Sequence, residues 1–546
     1  MKMIKNILSI IVLSSAFLSA QTTYFVDDVI GDDVNNGIQK NTPFKSITRI
    51  NQLILKPGDS VLFRRGGKWV GNLSPKGSGS KNKHIVLGAY GNGAAPVLNA
   101  NGIISEGENT SYTIKLFNQE YIEIRDLQIR NFNSHESPRK LVLKYNDAYV
   151  NTPKMGIYIQ GEDCGTLNDI YLTNLEICFV NGDMSTKNNG GVFVEITWNK
   201  EVSKRVKSNF NGLYTEGCYI HDVDRTGWSN RSVWDRRSLH STWGETLANG
   251  EKHNWYPSEN IFFRNNKFEK AGANALIVRV AKAPLIEYNL FTHNGIKGSG
   301  NASFPFNCDG ARFQYNEACY TYYNTADDSW DGKKDVDAGG FDSDWNCKNT
   351  VIQYNYSHHN GHGGVLICCN GANKTSFNDG TLIRYNVFEN NSHHIIRNSG
   401  TTTNTQIYNN TFFAGKEQDS VQLVYHKNWN GYPKNTFYAN NIFYSLGEGN
   451  HFEFTKSKDF TFIANTYFGD IKYSPSDSKK QIGNPLFKNA MPSRLHWKSY
   501  LRFLLKKHSP EINTGIWLEN HVKEDFLGSP IHGKPDRGAF ESDFAN

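Results

Sequence analysis

Two aspartates, Asp342 and Asp344, stand two residues apart in GGFDSDWNC, a segment that reads as a β-strand. At that spacing both side chains of a strand project to the same face, so the two carboxyl groups lie close together. Such pairs cleave glycosidic bonds, one acid protonating the leaving oxygen and the other group acting as base or nucleophile. Crowding also raises the pKa of one carboxyl group, which keeps a proton available near neutral pH. The alternative for this pair is a solvated turn or a set of Ca²⁺ ligands.

Three further charged residues interrupt otherwise apolar segments of the same kind. They are Glu195 in GGVFVEITW, Arg279 in NALIVRVAK and Arg397 in HHIIRNSG. We expect these segments to be neighbouring strands of one sheet, with about 4.8 Å between strands. Glu195, Arg279 and Arg397 would then orient a sugar beside the two aspartates.

Residues 224–258 form a long segment with four tryptophans among arginines and histidines. Tryptophan rings stack on the apolar faces of sugars, so we predict that this loop borders the cleft. Its candidate substrate contacts are Trp228, Trp234, Trp243, Arg236, Arg237 and His240. The alternative is that the rings form the small core that a loop of this length needs.

Histidines and further aspartates lie in the turns nearby. His359 and His362 follow one of the repeated strands, where they are turn residues or donors to a substrate oxygen. Residues 324–346 contain seven aspartates, and their spacing does not match a calcium-binding loop. We therefore predict no metal site and no cofactor, with Ca²⁺ as the one ion to consider.

A repeated asparagine shows which fold positions these residues. It recurs at intervals of 23 to 39 residues in segments such as IEYNLF, IQYNYS and IRYNVF, at Asn266, Asn289, Asn316, Asn355, Asn386, Asn410, Asn441 and Asn465. Alternating apolar residues on this period predict a parallel β-helix, with the asparagines stacked as a ladder in one turn. Asp126, Asn174 and Gly217 would occupy the same position in earlier coils.

The pattern predicts an all-β chain with a single right-handed parallel β-helix, an N-terminal cap and long loops. Residues 1–20 read as a signal peptide, and residues 21–100 as the cap and first coils with one helix that carries Ile47, Ile50, Leu53 and Ile54. Residues 101–470 form the β-helix with its inserted loops, 224–258 and 324–346. Residues 471–546 form the C-terminal coils and cap.

Composition restricts the partners. The formal charge of +6, spread over 546 residues, does not suggest a nucleic-acid-binding protein. No stretch after the signal peptide is long and apolar enough to span a bilayer. Eight cysteines show no zinc-type spacing, and packing residues are preferred over disulfides for most of them. We expect a monomer that is secreted or periplasmic.

Segments at both ends and around the aspartate pair resemble a known group. YFVDD, TPFKSI and LKPGDSVLFRRGGKWVG are similar to the opening of secreted bacterial β-helix proteins of the pectate-lyase-like superfamily. DAGGFDSDWNCKNTVIQYNYSHHNGHGG and PDRGAFE resemble β-helix glycoside hydrolases, most like glycoside hydrolase family 141. The resemblance implies a right-handed parallel β-helix and identifies Asp342 and Asp344 as the catalytic pair.

Three functions follow from this pattern. The first is a glycoside hydrolase that cleaves a complex polysaccharide or oligosaccharide by carboxylate acid/base chemistry. The second is a lyase that cleaves a uronate-containing glycan by β-elimination, with Arg279 or Arg397 as the basic residue. The third is a non-catalytic carbohydrate-binding β-helix. The fold alone does not choose among them.

Overall fold

The structure, a computed structural model, describes residues 21–132, 152–323, 337–489 and 499–542. Within these residues, parallel strands stack into three long sheets of 15, 14 and 11 strands. Strands that are adjacent in a sheet come from successive coils, and inward side chains form one apolar core along the axis. The predicted all-β parallel β-helix is confirmed. The predicted signal peptide lies outside the described residues.

Within each long sheet the spatial order of the strands follows the chain. The first sheet contains β1 (Thr23–Val26), β2 (Ser60–Arg64), β4 (Ile85–Tyr90), β7 (Ile122–Arg125), β10 (Thr166–Thr173), β13 (Asn209–Glu216), β16 (Glu259–Arg264), β19 (Leu285–Glu287), β22 (Arg312–Gln314), β26 (Val351–Gln353), β30 (Leu382–Arg384), β33 (Gln406–Tyr408), β36 (Thr436–Ala439), β39 (Phe460–Ile463) and β41 (Asp477–Ser478). The second sheet contains β3 (Lys68–Val70), β5 (Val97–Asn99), β8 (Gln128–Asn131), β11 (Glu176–Val180), β14 (Tyr219–Val223), β17 (Lys267–Ala271), β20 (Leu290–Thr292), β23 (Glu317–Cys319), β27 (Tyr356–His358), β31 (Val387–Glu389), β34 (Thr411–Ala414), β37 (Ile442–Ser445), β40 (Thr466–Phe468) and β42 (Gln481–Ile482). The third sheet contains β6 (Ser111–Phe117), β9 (Lys154–Glu162), β12 (Gly190–Thr197), β15 (Thr226–Ser232), β18 (Leu276–Arg279), β21 (Ser303–Phe306), β24 (Phe341–Ser343), β28 (Val365–Cys369), β32 (His394–Gly400), β35 (Gln422–Lys427) and β38 (His451–Glu453). A short pair, β25 (Cys347–Lys348) and β29 (Asn378–Asp379), lies in the turn after the third sheet. The helices in the described residues are α1 (Ile47–Asn51) and two 3₁₀ turns, Val202–Lys204 and Ser499–Phe503.

The eight repeated asparagines form the predicted ladder at the corner between the first and second sheets. From Asn266 to Asn441, the backbone N–H and the side-chain amide of each asparagine donate to the side-chain oxygen of the next, at 2.9–3.0 Å. Asp477 ends the ladder by accepting both bonds from Asn465. The ladder therefore satisfies buried polar groups at a corner that the strand hydrogen bonds leave open.

In the three earlier coils the predicted register is wrong by one residue. The backbone N–H of Cys218 donates to the side chain of Asn266 at 2.9 Å, so Cys218 holds the ladder position there. The strand pairing places Leu175 and Leu127 at that position in the two preceding coils. The predicted residues instead hold the left-handed corner just before it, with φ of 58°, 51° and 64° at Asp126, Asn174 and Gly217. Short polar residues and glycine favour that conformation. In the sequence, their recurrence at this corner therefore resembles the recurrence of the ladder asparagines.

The two ends differ in part from expectation. Helix α1 buries Ile47 and Ile50 as predicted, but it stops at Asn51 and leaves Ile54 75% exposed. At the other end, residues 499–542 turn back along the outside of the solenoid. Their apolar side chains pack on a row of aromatic residues that face outward from the coils, among them Tyr356, Phe413 and Tyr444.

The segments aligned from the sequence do lie in the third sheet, but a strand between two of them was missed. Strand β15 lies between β12 and β18, inside the segment interpreted as the tryptophan loop. The loop that leaves the third sheet here therefore begins only after Ser232, the last residue of β15. All eight cysteines lie in described residues and each is free, as the preference for packing residues predicted. Among the described helices, none has the length and hydropathy of a membrane span.

Candidate active site

The outer face of the third sheet brings four of the five predicted charged residues together. Asp342 on β24 lies beside Leu366 of β28, which lies beside Arg397 of β32. Arg279 lies two strands away on the other side, on β18, so each arginine is about 10 Å along the sheet from the aspartates.

Glu195 on β12 is four strands from β24, about 19 Å along the sheet. Its carboxylate accepts from the Tyr158 hydroxyl and from Arg231, the latter at 2.7 Å. Glu195 therefore holds Arg231, and it does not lie beside the two aspartates as the sequence predicted.

Asp342 is enclosed. The residue is 3% exposed, and its Oδ2 accepts a hydrogen bond from the side-chain amide of Asn301 at 3.1 Å. Its Oδ1 is buried and has no hydrogen-bond partner among the described residues. Burial and then the charge of Asp344 raise the pKa of Asp342 well above its ordinary value. A carboxyl group in this setting favours its neutral form.

Asp344 is only partly buried. Its Oδ1 accepts from the backbone N–H of Trp345 at 2.8 Å and from the Cys368 thiol at 3.2 Å. Burial raises the pKa of this carboxyl group, and the charge of Lys187 opposes that rise. One side-chain oxygen of Asp344 and one of Asp342 lie within 4.8 Å of each other.

A third carboxylate, Asp337, joins the cluster from the segment before β24. Its side chain is 43% exposed and lies 3.6 Å from the guanidinium of Arg397. Its charge raises the pKa of both Asp342 and Asp344, after the larger effect of burial. The sequence contained Asp337 only as one of seven loop aspartates, and nothing in its spacing marked it as part of the site.

Lys187 was not predicted at all. It comes from the loop between β11 and β12, and its ammonium lies over the ring of Phe304 at 5.1 Å. Burial and then Arg225 lower the pKa of Lys187, while Asp344 and Asp337 act in the opposite direction. No sequence pattern linked this loop to the aspartate cluster, because its position depends on how the loop folds over the strands that lie between β12 and β24.

Arg279 faces a cavity of about 420 Å³ at this end of the cluster. Its Nη1 donates to Asn188 at 3.1 Å, and its Nη2 is buried without a hydrogen-bond partner in the described part of the chain. Burial and then Arg225 and Arg231 lower the pKa of Arg279 to about 10. The cavity walls also include Trp198, Arg231, Arg236 and Phe306. They offer donors and aromatic surface, the features that suit a sugar.

The tryptophans do not flank this cleft as predicted. Trp228 is 1% exposed inside the solenoid, where it packs edge-on against Phe263, because it sits at an inward position of β15. Trp234 is buried between Trp198 and Trp243. Trp243 is 46% exposed but carries the Lys207 ammonium 3.5 Å from its ring centroid. The alternative interpretation, a small core for the loop, describes Trp234 and Trp243.

Arg237 anchors the loop through buried hydrogen bonds. It is 6% exposed and donates to Asn307 at 2.6 Å, to Asp309 at 2.7 Å and to the backbone oxygen of Asn346. Arg236 lines the cavity and forms an ion pair with Glu251 at 3.3 Å. His240 is exposed on the outside of the loop. Of Arg236, Arg237 and His240, only Arg236 lines the cavity.

The two candidate histidines lie in different surroundings. His362 stacks on Tyr323 at 4.9 Å and contacts His393 and His394, and its backbone N–H donates to Ala338, the residue after Asp337. It therefore borders the site. His359 packs on Tyr320 and contacts His358, and burial lowers its pKa to about 4. These contacts make His359 part of a structural network.

Among the described residues, the donors grouped here are not those that calcium prefers. Asp342, Asp344 and Cys368 place three donor atoms within 4.8 Å of one another. Calcium takes six to eight oxygen ligands, whereas one of these donors is a thiol. Burial also raises the pKa of Cys368 well above its ordinary value, which disfavours the thiolate.

Fold and site together define a parallel β-helix with an aspartate cluster, flanked by cations, on the outer face of one sheet. No family model matches the chain. Over an alignment of 605 residues it is 25% identical to a lacto-N-biosidase of Bifidobacterium longum subsp. longum. The alignment takes in 96% of this chain but 36% of that protein, so the chain spans about a third of the length of this relative.

Two solved structures share the fold of this chain. The native GH136 lacto-N-biosidase of Eubacterium ramulus superposes with a TM-score of 0.55 at 23% identity, over 71% of this chain and 64% of that one. Its selenomethionine derivative gives a TM-score of 0.58 at 22% identity, over 84% and 67%. These likenesses establish the shared fold. The resemblance to glycoside hydrolase family 141 finds no support in them.

Proposed function

We propose that the chain is a glycoside hydrolase that cleaves an oligosaccharide at the cluster of Asp337, Asp342 and Asp344. The observation that carries this proposal is the contrast between the three carboxyl groups, one enclosed, one partly buried and one exposed beside an arginine. Hydrolysis of a glycosidic bond needs one protonated and one ionised carboxyl group within reach of the sugar. The similarity to a lacto-N-biosidase along nearly the whole chain supports the same reaction class.

Asp344 is the general acid in this proposal. Its pKa is raised by burial, so it holds its proton to a higher pH than an ordinary aspartate does. It also lies beside the cavity that Phe306 and Arg279 line, because Phe306 ends the strand next to β24. A leaving oxygen bound at the mouth of this cavity would be within its reach.

Asp337 is the base or nucleophile. It is the most exposed of the three carboxylates, and Arg397 holds it at the edge of the cluster. Asp342 has no exposed oxygen to offer a sugar and acts instead on the charges and positions of the other two. This assignment changes one partner of the pair inferred from the sequence and keeps Asp344.

The name of the relative suggests the substrate. The name lacto-N-biosidase refers to lacto-N-biose, so we infer an oligosaccharide that carries this or a similar disaccharide at its end. A cavity of about 420 Å³ is within the usual size range for small-ligand sites. Secretion or export to the periplasm, inferred from residues 1–20, would place the enzyme where such oligosaccharides occur.

The test is incubation of the purified chain with oligosaccharides that end in lacto-N-biose and with a panel of plant and uronate-containing polysaccharides. Released disaccharide, absent with the Asp344→Asn variant, would support the hydrolase. Ultraviolet absorbance from an unsaturated uronate would instead identify a lyase and shift attention to Arg279. Retention on an immobilised glycan without any product would identify a binding protein.

A further inference from the structure

The outer face of the second sheet carries one five-residue arrangement twice, away from the aspartate cluster. In each copy one strand reads Glu-X-Cys, the next reads Tyr-X-His, and the third places a glutamate beside the histidine. The first copy consists of Glu176, Cys178, Tyr219, His221 and Glu269. The second copy consists of Glu317, Cys319, Tyr356, His358 and Glu389. In both, the tyrosine hydroxyl donates to the last glutamate, and the imidazole Nε2 faces the first glutamate.

In the first copy, three different metal-binding groups converge. Glu176 Oε1 lies 3.2 Å from His221 Nε2 and 3.9 Å from Cys178 Sγ, and all three donor atoms lie within 4.8 Å of one another. Tetrahedral zinc, with bonds of about 2.0 to 2.3 Å, holds its ligand atoms about 3.3 to 3.8 Å apart. Small side-chain rotations would therefore close these groups around an ion.

The imidazole of the first copy is oriented for coordination. Its Nδ1 lies 2.8 Å from the carboxylate of Asp222, the next residue in the chain. A proton held on Nδ1 by this carboxylate leaves the lone pair of Nε2 directed at Glu176 and Cys178. Metal-bound histidines have this carboxylate contact on the far side of the ring.

In the second copy the donor atoms of Glu317, Cys319 and His358 also lie within 4.8 Å of one another, but their surroundings differ. His358 Nδ1 faces the ring nitrogen of His359 at 3.0 Å instead of a carboxylate. The Cys319 thiol donates to the Thr292 hydroxyl at 3.3 Å, and Glu389 forms a buried ion pair with Arg502. The side chain of Glu317 is 11% exposed, whereas that of Glu176 is 38% exposed. The first copy is open to solvent on one side, and the second is a closed network.

We propose that Glu176, Cys178 and His221 bind a zinc ion, with Asp222 positioning the histidine and water completing the coordination. A thiol, an imidazole and a carboxylate together suit Zn²⁺ better than the oxygen-seeking Ca²⁺ or Mg²⁺. The ion would join β11 to β14 through side chains, independently of the hydrolase site. Without metal, burial and then Glu176 raise the pKa of Cys178 to about 12.

The test uses the full chain without a histidine tag, stripped with chelator and then titrated with Zn²⁺ or Co²⁺. We expect one metal ion per chain by elemental analysis and a thiolate-to-cobalt charge-transfer band. Cys178→Ser should abolish the band, Asp222→Asn should weaken binding by about 10- to 100-fold, and the matched Cys319→Ser control should bind as the wild type does. Equal binding by Cys178→Ser, or loss in Cys319→Ser, would overturn the assignment.

A measurement on the wild-type chain does not depend on how the variants fold. The folded protein, either zinc-loaded or metal-free, is alkylated for increasing times, and peptide mass mapping follows each cysteine. Zinc should slow alkylation of Cys178 at least tenfold and leave Cys319 unchanged. Equal rates at Cys178 with and without zinc would contradict the proposal even if the variants were unstable.

Discussion

At the residue scale, the three aspartates of the cluster differ in how far their side chains are exposed to solvent. Asn can replace a neutral carboxyl group in shape and keep an oxygen for Asn301 to donate to, so Asp342→Asn should retain activity within about tenfold. Asp344→Asn and Asp337→Asn remove a reacting group and should each lower kcat by about 10³-fold. Initial rates on the cleaved oligosaccharide check this, with circular dichroism to show that each variant is folded. A loss at Asp342 as large as at Asp344 would restore the pair inferred from the sequence.

The pH dependence of catalysis is a second residue-scale prediction. Lys187 lowers the pKa of Asp344 by its charge, against the rise caused by burial. Lys187→Met removes that charge, so the pKa of Asp344 should rise further and the acid should stay protonated to higher pH. The alkaline limb of the kcat/KM profile should therefore move upward in pH. An unchanged or downward-shifted limb would show that Asp344 is not the titrating acid.

The same residues show what the sequence could and could not reveal about the site. Alternation along one strand was sufficient to place Asp344 and Asp342 on one face, and Arg279 and Arg397 on the same sheet. Asp337 and Lys187 were missed because they enter from turns, and no periodicity records how a turn folds over a sheet. The tryptophans misled for a related reason, since Trp228 lies on β15, whose coil has Cys218 in place of the repeated asparagine.

At the scale of the elements, the asparagine ladder replaces the strand hydrogen bonds that a corner cannot make. Asn355 accepts from Asn316 and donates to Asn386 and to the backbone oxygens of Phe313 and Gln353. Asn355→Ala leaves several of these buried groups without partners, so it should destabilise the fold by about 2 to 4 kcal/mol. Thermal unfolding followed by circular dichroism measures the effect. Asn249→Ala is the control, because its side chain bonds only to Glu251 in an exposed turn and its loss should cost under about 0.5 kcal/mol. If the two variants had the same melting temperature, the asparagine ladder would not contribute to the stability of the fold.

The ladder also explains how far the fold could be predicted. A polar residue that must stack on its own copy in the next coil leaves a strict repeat, and that repeat identifies the coils from Asn266 onward. The earlier coils use Leu127, Leu175 and Cys218 at the same corner, which any apolar residue can replace. No repeat marks them, and the predicted register there is one residue too early.

At the scale of the whole molecule, residues 499–542 pack along the side of the solenoid. One buried ion pair holds this segment against the coils. Arg502 donates to Glu389, and the two side chains are 5% and 2% exposed. Arg502→Met would leave the Glu389 carboxylate buried without this cation, at a cost of about 3 to 5 kcal/mol. The Arg502→Met, Glu389→Gln double variant removes both charges and should recover most of that loss. Melting temperature and the rate of limited proteolysis within residues 499–542 follow both effects. If Arg502→Met melts with the wild type, or the double variant is less stable than the single one, the ion pair does not fix this segment to the coils.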